Sequence, residues 1–291
     1  MRWKKKNGCV SKKAGEFRII WLTAGAVRGS IPNMKQPLQG DVRNRMGQTC
    51  VLTGMVLKTA PAGEYSKRIT LLTREQGKIT AFVRGARRPK SALQAATDLF
   101  CFGKFEAYEG RDAFTVVKAE ISNYFRELYE DLDKTYYGCY FLEMAEYFTQ
   151  PYNADGRQQL KLLYQTLRAL GVPSLEHRLV RRIYELKTLT LYGVQPNVFS
   201  CVKCGKREGI SGFSLRDKGV LCEVCAGKHA LYPLNAAALY TLQYIISAPV
   251  EKLYTFRVTD EVYEMISRIL EDYLKLYVDR EFKTLPFLPD T

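Results

Sequence analysis

The chain has 291 residues, 46% hydrophobic and 25% charged, with 44 Lys+Arg against 30 Asp+Glu and a formal net charge of +14. That balance excludes a disordered, collagen-like or mucin-like polymer, and no apolar run approaches the roughly 18 residues a spanning helix needs. The length suits two or three domains, and the excess charge points to an anionic partner, nucleic acid or an acidic membrane surface, without specifying a fold.

The charge is graded along the chain. Residues 1–45 hold eleven Lys+Arg and two acids, Glu16 and Asp41, for +9; residues 46–118 hold twelve against six, for +6; residues 119–291 hold 21 against 22, for −1. The leader has no sustained apolar period, and Gly, Pro, Asn and Ser interrupt every candidate element. Lys4, Lys5 and Lys6 ahead of the apolar stretch Ile19 to Val27, with its Ala24-Gly25-Ala26 triplet, have the form of a secretory signal. A disordered basic arm is a second reading. The preferred reading is a mistaken start, because Met46 immediately precedes the first clear strand pattern.

From Cys50 the pattern is strand-like: Val51 to Leu57, Arg68 to Thr73, Lys78 to Val83, Leu99 to Tyr108 and Ala113 to Ile121, punctuated by Gly63, Gly77 and Gly110. Five short strands are too few for a sandwich and suit a small closed barrel of the OB type, a fold that binds single-stranded nucleic acid through a basic groove. After Asn123 the spacing becomes helical. Tyr136, Tyr137, Tyr140, Phe141, Met144, Ala145 and Phe148 share a face that ends at Pro151. Leu160, Leu163, Leu167 and Leu170 mark a second helix, stopped by Gly171 and Pro173, and Leu175, Leu179, Ile183, Leu186 and Leu189 a third, with Ser174 as its expected N-cap. Ala236 to Ile246 and Val262 to Tyr277 restore helical spacing further on. These stripes read as core.

Between them lie two C-x-x-C pairs, Cys201/Cys204 and Cys222/Cys225, separated by 17 residues. Each pair brings two thiolates to one ion from a tight turn, and four sulfurs close a tetrahedral shell with no position left for a catalytic water, so one structural Zn2+ is expected. His229 is an alternative ligand. Disulfides would need an oxidising compartment, which conflicts with Cys50, Cys101 and Cys139 as thiols in apolar patterns, and a thioredoxin-like motif lacks its α/β context.

The segment Val83 to Ser91 carries Arg84, Arg87, Arg88 and Lys90 directly after a strand, with Gly85 and Pro89 keeping it out of a helix. Such a loop offers guanidinium forks and a point charge to phosphates. Lys67, Arg68 and Arg74 are expected to extend the surface. Tyr65, Phe82 and Tyr108 are of a type that stacks on bases but are read as core or rim packing. The chain has no phosphate-loop, H-E-x-x-H, G-x-S-x-G or zinc-deaminase signature, and with only His177 and His229 imidazole catalysis is poorly provided for. The acidic run Glu127 to Asp133 reads as a linker and first helical turn.

Thr49-Cys50-Val51-Leu52-Thr53-Gly54, the run Leu71 to Lys78 and the segment Gly85 to Ser91 together resemble the RecO family of bacterial recombination and repair proteins, and the paired C-x-x-C motifs are similar to those of its zinc-bearing members. The resemblance covers roughly residues 47–288. It implies an α+β multidomain protein: an OB-fold β-barrel at 46–122, then a mainly α-helical domain at 123–291 with an inserted four-cysteine zinc-binding module at about 198–229. It also implies a non-enzymatic, cytoplasmic, nucleoid-associated mediator that binds single- and double-stranded DNA, anneals complementary strands, acts with RecR and RecF, contacts the C-terminal tail of single-strand-binding protein and helps load RecA, with no membrane partner. The family's basic loop maps onto Arg84, Arg87, Arg88 and Lys90, and its zinc cysteines onto Cys201, Cys204, Cys222 and Cys225. Residues 1–45 depart from the family, which begins near the first strand. Three competing readings are an RNA-binding or translation-associated protein, a metal-dependent hydrolase using Asp131 or Asp133, and a scaffold whose loop binds an acidic protein.

Overall fold

The computed structural model describes residues 49–151, 155–227 and 231–289. The leader, Met46 and His229 lie outside the described residues. Five strands, β1 (Thr49–Ala62), β2 (Ser66–Thr73), β3 (Gly77–Val83), β4 (Phe102–Glu109) and β5 (Phe114–Asn123), close into a barrel in the order β1-β2-β3-β5-β4. Closure comes from a short parallel pairing of β3 with β5, all other pairs being antiparallel. β1 is far longer than the expected Val51 to Leu57 because it serves two neighbours: its first half pairs with β4 and its second with β2, with a register shift between Val56 and Lys58 where it bends. Alternate residues, among them Leu52, Ile69, Leu71, Ile79, Phe105 and Val116, fill the interior. A short helix, α1 (Leu93–Ala96), which the sequence pattern does not reveal, follows the basic segment.

Helices α2 (Leu132–Phe148), α3 (Arg157–Leu170), α4 (His177–Leu191), α6 (Ala236–Ser247) and α7 (Asp260–Lys275) form the second half, with α5 (Glu223–Ala226) and a small sheet of β6 (Ile210–Ser214), β7 (Gly219–Cys222) and β8 (Tyr232–Pro233) inserted between α4 and α6. The architecture is thus the α+β one expected. Asp131 caps α2 by accepting from the Lys134 N–H at 3.2 Å, and Asn235 caps α6 through the Ala238 N–H at 2.8 Å. The acidic run is therefore a helix start. Ser174 does not cap α4: that helix begins at His177 with Glu176 in the N-cap position and no side-chain cap, because a turn at 172–175, closed by the Val172 carbonyl and the Leu175 N–H, intervenes.

The barrel and the helices share one core. Met55, Leu72 and Phe102 of the barrel belong to the same buried cluster as Phe141, Leu163 and Ile183 of the helices. Gly156 donates its N–H to the Arg74 carbonyl at 3.2 Å, so close that a Cβ there would lie 2.0 Å from the Thr73 oxygen. Lys78 of β3 donates to the carbonyl of Glu146 near the end of α2. The central helix α4 carries a buried charge cluster in which Glu185 accepts from Tyr140, Arg181 and Arg182. Its Lys187 donates to the carbonyls of Ile245, Ile246 and Ala248 and so finishes α6. No helix among the described residues is long and apolar enough to cross a membrane.

Candidate nucleic-acid face and candidate metal centre

The basic segment leaves β3 and folds against the β1–β2 turn. Gly85 takes a positive φ of 71° that a side chain disfavours, and the Arg88 N–H returns to its carbonyl at 3.0 Å. The Arg87 N–H donates to the Tyr65 carbonyl at 2.9 Å, its Nη1 donates to the Gly63 carbonyl at 3.1 Å, and the Arg88 guanidinium sits 5.4 Å from the centre of the Tyr65 ring. Two loops that are far apart in sequence thus make one edge, with Arg84, Arg87, Arg88 and Lys90 all exposed.

The seven cations expected to form the surface do not all join it. Arg68 is exposed on β2 and lies opposite Phe82 of β3, near the basic segment. Lys67 is at the same end, but its ammonium is held by Asp98, just after α1, at 2.7 Å and by the carbonyl of Gln94, within α1, at 3.1 Å. Arg74 lies beyond the other end of β2, about 20 Å away at ~3.3 Å per residue, where it pairs with Glu75 at 2.8 Å and supplies the carbonyl that Gly156 binds. None of Arg68, Arg84, Arg87, Arg88 and Lys90 forms an ion pair with a described residue. The outer face of β4 and β5 is different, since Lys104 and Lys118 alternate there with Glu106 and Glu120, and Lys118 pairs with Glu120 at 2.6 Å. Unbalanced positive charge is therefore concentrated at the β2–β3 end.

Two features of this face escape the sequence pattern. Tyr65, Phe82 and Tyr108 are 43%, 41% and 44% exposed, not core. Arg111, exposed in the β4–β5 turn three residues past Tyr108, is a further cation whose only sequence signal is its Gly110-Arg111-Asp112 turn context.

The four cysteines converge. Gly205, at φ 75°, closes the first knuckle by donating to the Cys201 carbonyl at 2.8 Å, and the Cys201 N–H donates to the Lys206 carbonyl at 2.7 Å. The Glu223 N–H donates to the Gly209 carbonyl at 3.0 Å, which ties the second pair to the first. Gly219 is required by space, since a Cβ would meet Val202 at 2.5 Å and the Asn197 carbonyl at 2.6 Å. The four Sγ atoms all lie within 4.8 Å of one another, with Cys204 and Cys222 at 3.6 Å. A tetrahedral ion with bonds of about 2.3 Å needs sulfur edges of ~3.8 Å, so the set fits a metal of that kind. Burial opposes ionisation of Cys201, but the N–H groups of Cys222, Cys204 and Lys203 outweigh it and hold the thiol down at about 6. Hydrogen bonding to the Cys204 and Cys222 sulfurs pushes Cys225 up to about 12. Thiolates gathered this closely repel one another, and a bound dication would remove that repulsion. Among the described residues this is the one cluster of its kind.

Residues 46–125 match the family model described as "Recombination protein O N terminal", and residues 129–286 match "Recombination protein O C terminal". The chain is 32% identical over 241 residues to a protein of Symbiobacterium thermophilum named "DNA repair protein RecO", covering 81% of this chain and 94% of that one. It is 31% identical over 237 residues to the protein of the same name from Halalkalibacterium halodurans (81% and 92% covered), and 30% identical over 229 residues to that of Alkaliphilus metalliredigens (78% and 93%).

Proposed function

The chain belongs to the RecO family and hence to DNA repair and recombination, and from that premise we propose that it is a non-enzymatic mediator that binds single- and double-stranded DNA and anneals complementary strands. The observation that carries the reading is the cluster of exposed, unpaired cations, Arg68, Arg84, Arg87, Arg88 and Lys90, on one end of an OB barrel whose neighbouring face is charge-balanced. Guanidiniums at such a surface displace condensed counterions from the phosphate backbone, and their positive charge screens two polyanions from each other, which is what annealing requires. As a mediator of this kind the protein is not expected to show magnesium-dependent nuclease activity, and a nuclease assay with Mg2+ on the same DNA checks this.

In this reading the barrel holds DNA while the helical half docks proteins: RecR, the C-terminal tail of single-strand-binding protein and, functionally, RecF and RecA on gaps coated by that binding protein, in the cytoplasm at the nucleoid. Cys201, Cys204, Cys222 and Cys225 would hold one zinc ion. Zinc, when bound, supplies a cross-link between the two knuckles and no reactive position, because four protein sulfurs complete its shell.

The test is a simultaneous change of Arg84, Arg87, Arg88 and Lys90 to Glu. Loss of DNA binding and annealing at physiological salt is expected; persistence of both would show that the site is elsewhere. Annealing of strands coated with single-strand-binding protein, with and without that protein's tail, separates the DNA role from the docking role.

A further inference from the structure

The barrel carries a row of side chains that the basic segment does not account for. Residues paired across neighbouring strands point to the same side of a sheet. The register therefore sets Arg68 of β2 beside Phe82 of β3, Phe82 beside Thr115 of β5, and Thr115 beside Tyr108 of β4. The residues that flank Phe82 and Tyr108 on the inner side, Ala81, Val83 and Ala107, are buried, so the row faces outward. Phe82 and Tyr108 are exposed and are not members of the buried barrel core. The two rings stand two strands apart, about 10 Å, with the short Thr115 between them. Arg68 borders the row on one side, Arg84 follows Phe82 by two residues, and Arg111 lies in the turn beyond Tyr108.

Cations alone would serve a polyanion of any strandedness, because phosphates are equally exposed on single strands and duplexes. Aromatic faces are different. In a duplex every base face is covered by its neighbours, so a ring on the protein surface finds a partner only where bases are unpaired and unstacked. We propose that Phe82 and Tyr108 form a base-stacking platform for single-stranded DNA, with Arg68 and Arg84 holding the backbone beside it. The inference rests on the DNA-binding reading above and adds selectivity to it: the segment Arg87 to Lys90 grips either form, and the row distinguishes unpaired strand from duplex. A protein partner on the same rings is the alternative that the experiment excludes.

The full chain is titrated, by fluorescence anisotropy at one fixed salt concentration, with three probes of equal length: an oligo-dT strand, a duplex, and an abasic strand with the same phosphates and no bases. The wild type should bind oligo-dT more tightly than the abasic strand. Changing Phe82 and Tyr108 together to Ala should lower oligo-dT affinity by about 10-fold per ring, reduce the ratio of single-strand to duplex affinity by the same factor, and abolish the preference for oligo-dT over the abasic strand. The Phe82→Trp, Tyr108→Trp variant should keep the preference, which guards against a fold defect. Equal wild-type affinity for oligo-dT and abasic strand, or equal losses on strand and duplex in the Ala variant, would overturn the platform while leaving DNA binding intact. Binding of none of the probes by the wild type would overturn the DNA-binding reading itself.

Discussion

Replacing Glu185 by Gln isolates the electrostatics of the helical core. The carboxylate is fully buried, accepts from the Tyr140 hydroxyl at 2.7 Å and from Arg181 Nε and Arg182 Nη1 at 2.9 Å each, and both arginine side chains are only 4% exposed. Burial works against its charge, but the guanidiniums of Arg182 and Arg181, with the tyrosine hydroxyl, prevail and hold the carboxyl at about 2, below its ordinary 4.5. A difference of that size corresponds to about 3 kcal/mol at neutral pH. Removing one partner of a buried ion pair costs about 3–5 kcal/mol by comparison with other proteins, because the remaining charge is left uncompensated. The two routes agree. Because the folded-state pKa is depressed, the contribution is complete above about 4.5 and is lost as pH falls toward about 2. Urea denaturation of wild type and Glu185→Gln should differ by about 3 kcal/mol at pH 7, and the gap should narrow below pH ~4.5 as the carboxyl of the unfolded wild-type chain takes up its proton. The reasoning would be refuted by a cost below about 1 kcal/mol at pH 7, or by a gap that does not shrink with acid. Replacing the whole cluster, Arg181→Met, Arg182→Met and Glu185→Leu, should cost much less than Glu185→Gln alone, since no charge of the cluster is then left buried without its counter-charge.

Two further outcomes are expected. Elemental analysis should find one dication per chain, lost on substitution of Cys204 and Cys225 by Ala; chelation should raise amide exchange across residues 201–226 and leave the barrel strands unchanged, whereas a uniform rise would mean that the module is not a local unit. Gly156→Ala should destabilise the chain by about 1–3 kcal/mol in thermal or urea unfolding because its methyl would collide with the Thr73 carbonyl. Gly171→Ala, where the nearest atom lies at 3.4 Å, should stay within ~0.5 kcal/mol of wild type, and equal effects at the two sites would contradict the packing argument.

Legibility in the sequence followed the range of the interaction. The cysteine module was legible because each C-x-x-C pair is a local turn that presents its own two ligands, and the barrel strands because their alternation and turn glycines are local too. The exposure of Phe82 was hidden by its context: Ala81, Phe82 and Val83 are all apolar, so alternation does not say which of them turns outward. In the closed barrel the small Ala81 and the branched Val83 occupy the interior and the large ring is left outside. Lys67 and Arg74 looked like members of the basic surface because they are cations on a strand next to it. Their neutralisation depends on Asp98 and Glu75, and the separation of Arg74 from the segment Arg84 to Lys90 depends on strand direction.

By itself, the sequence determined the order of the parts, a strand-rich basic half, a helical neutral half and a four-thiol insertion, because composition, periodicity and short-range spacing are properties of the chain alone. Only the tertiary structure decided that β3 meets β5 to close the barrel, that the basic segment docks on the β1–β2 turn, which cations remain unpaired, and that two aromatic rings stand in one outward row. Each of those results is a contact between residues distant in sequence, and such contacts are set by how strands pair and cores fill in three dimensions.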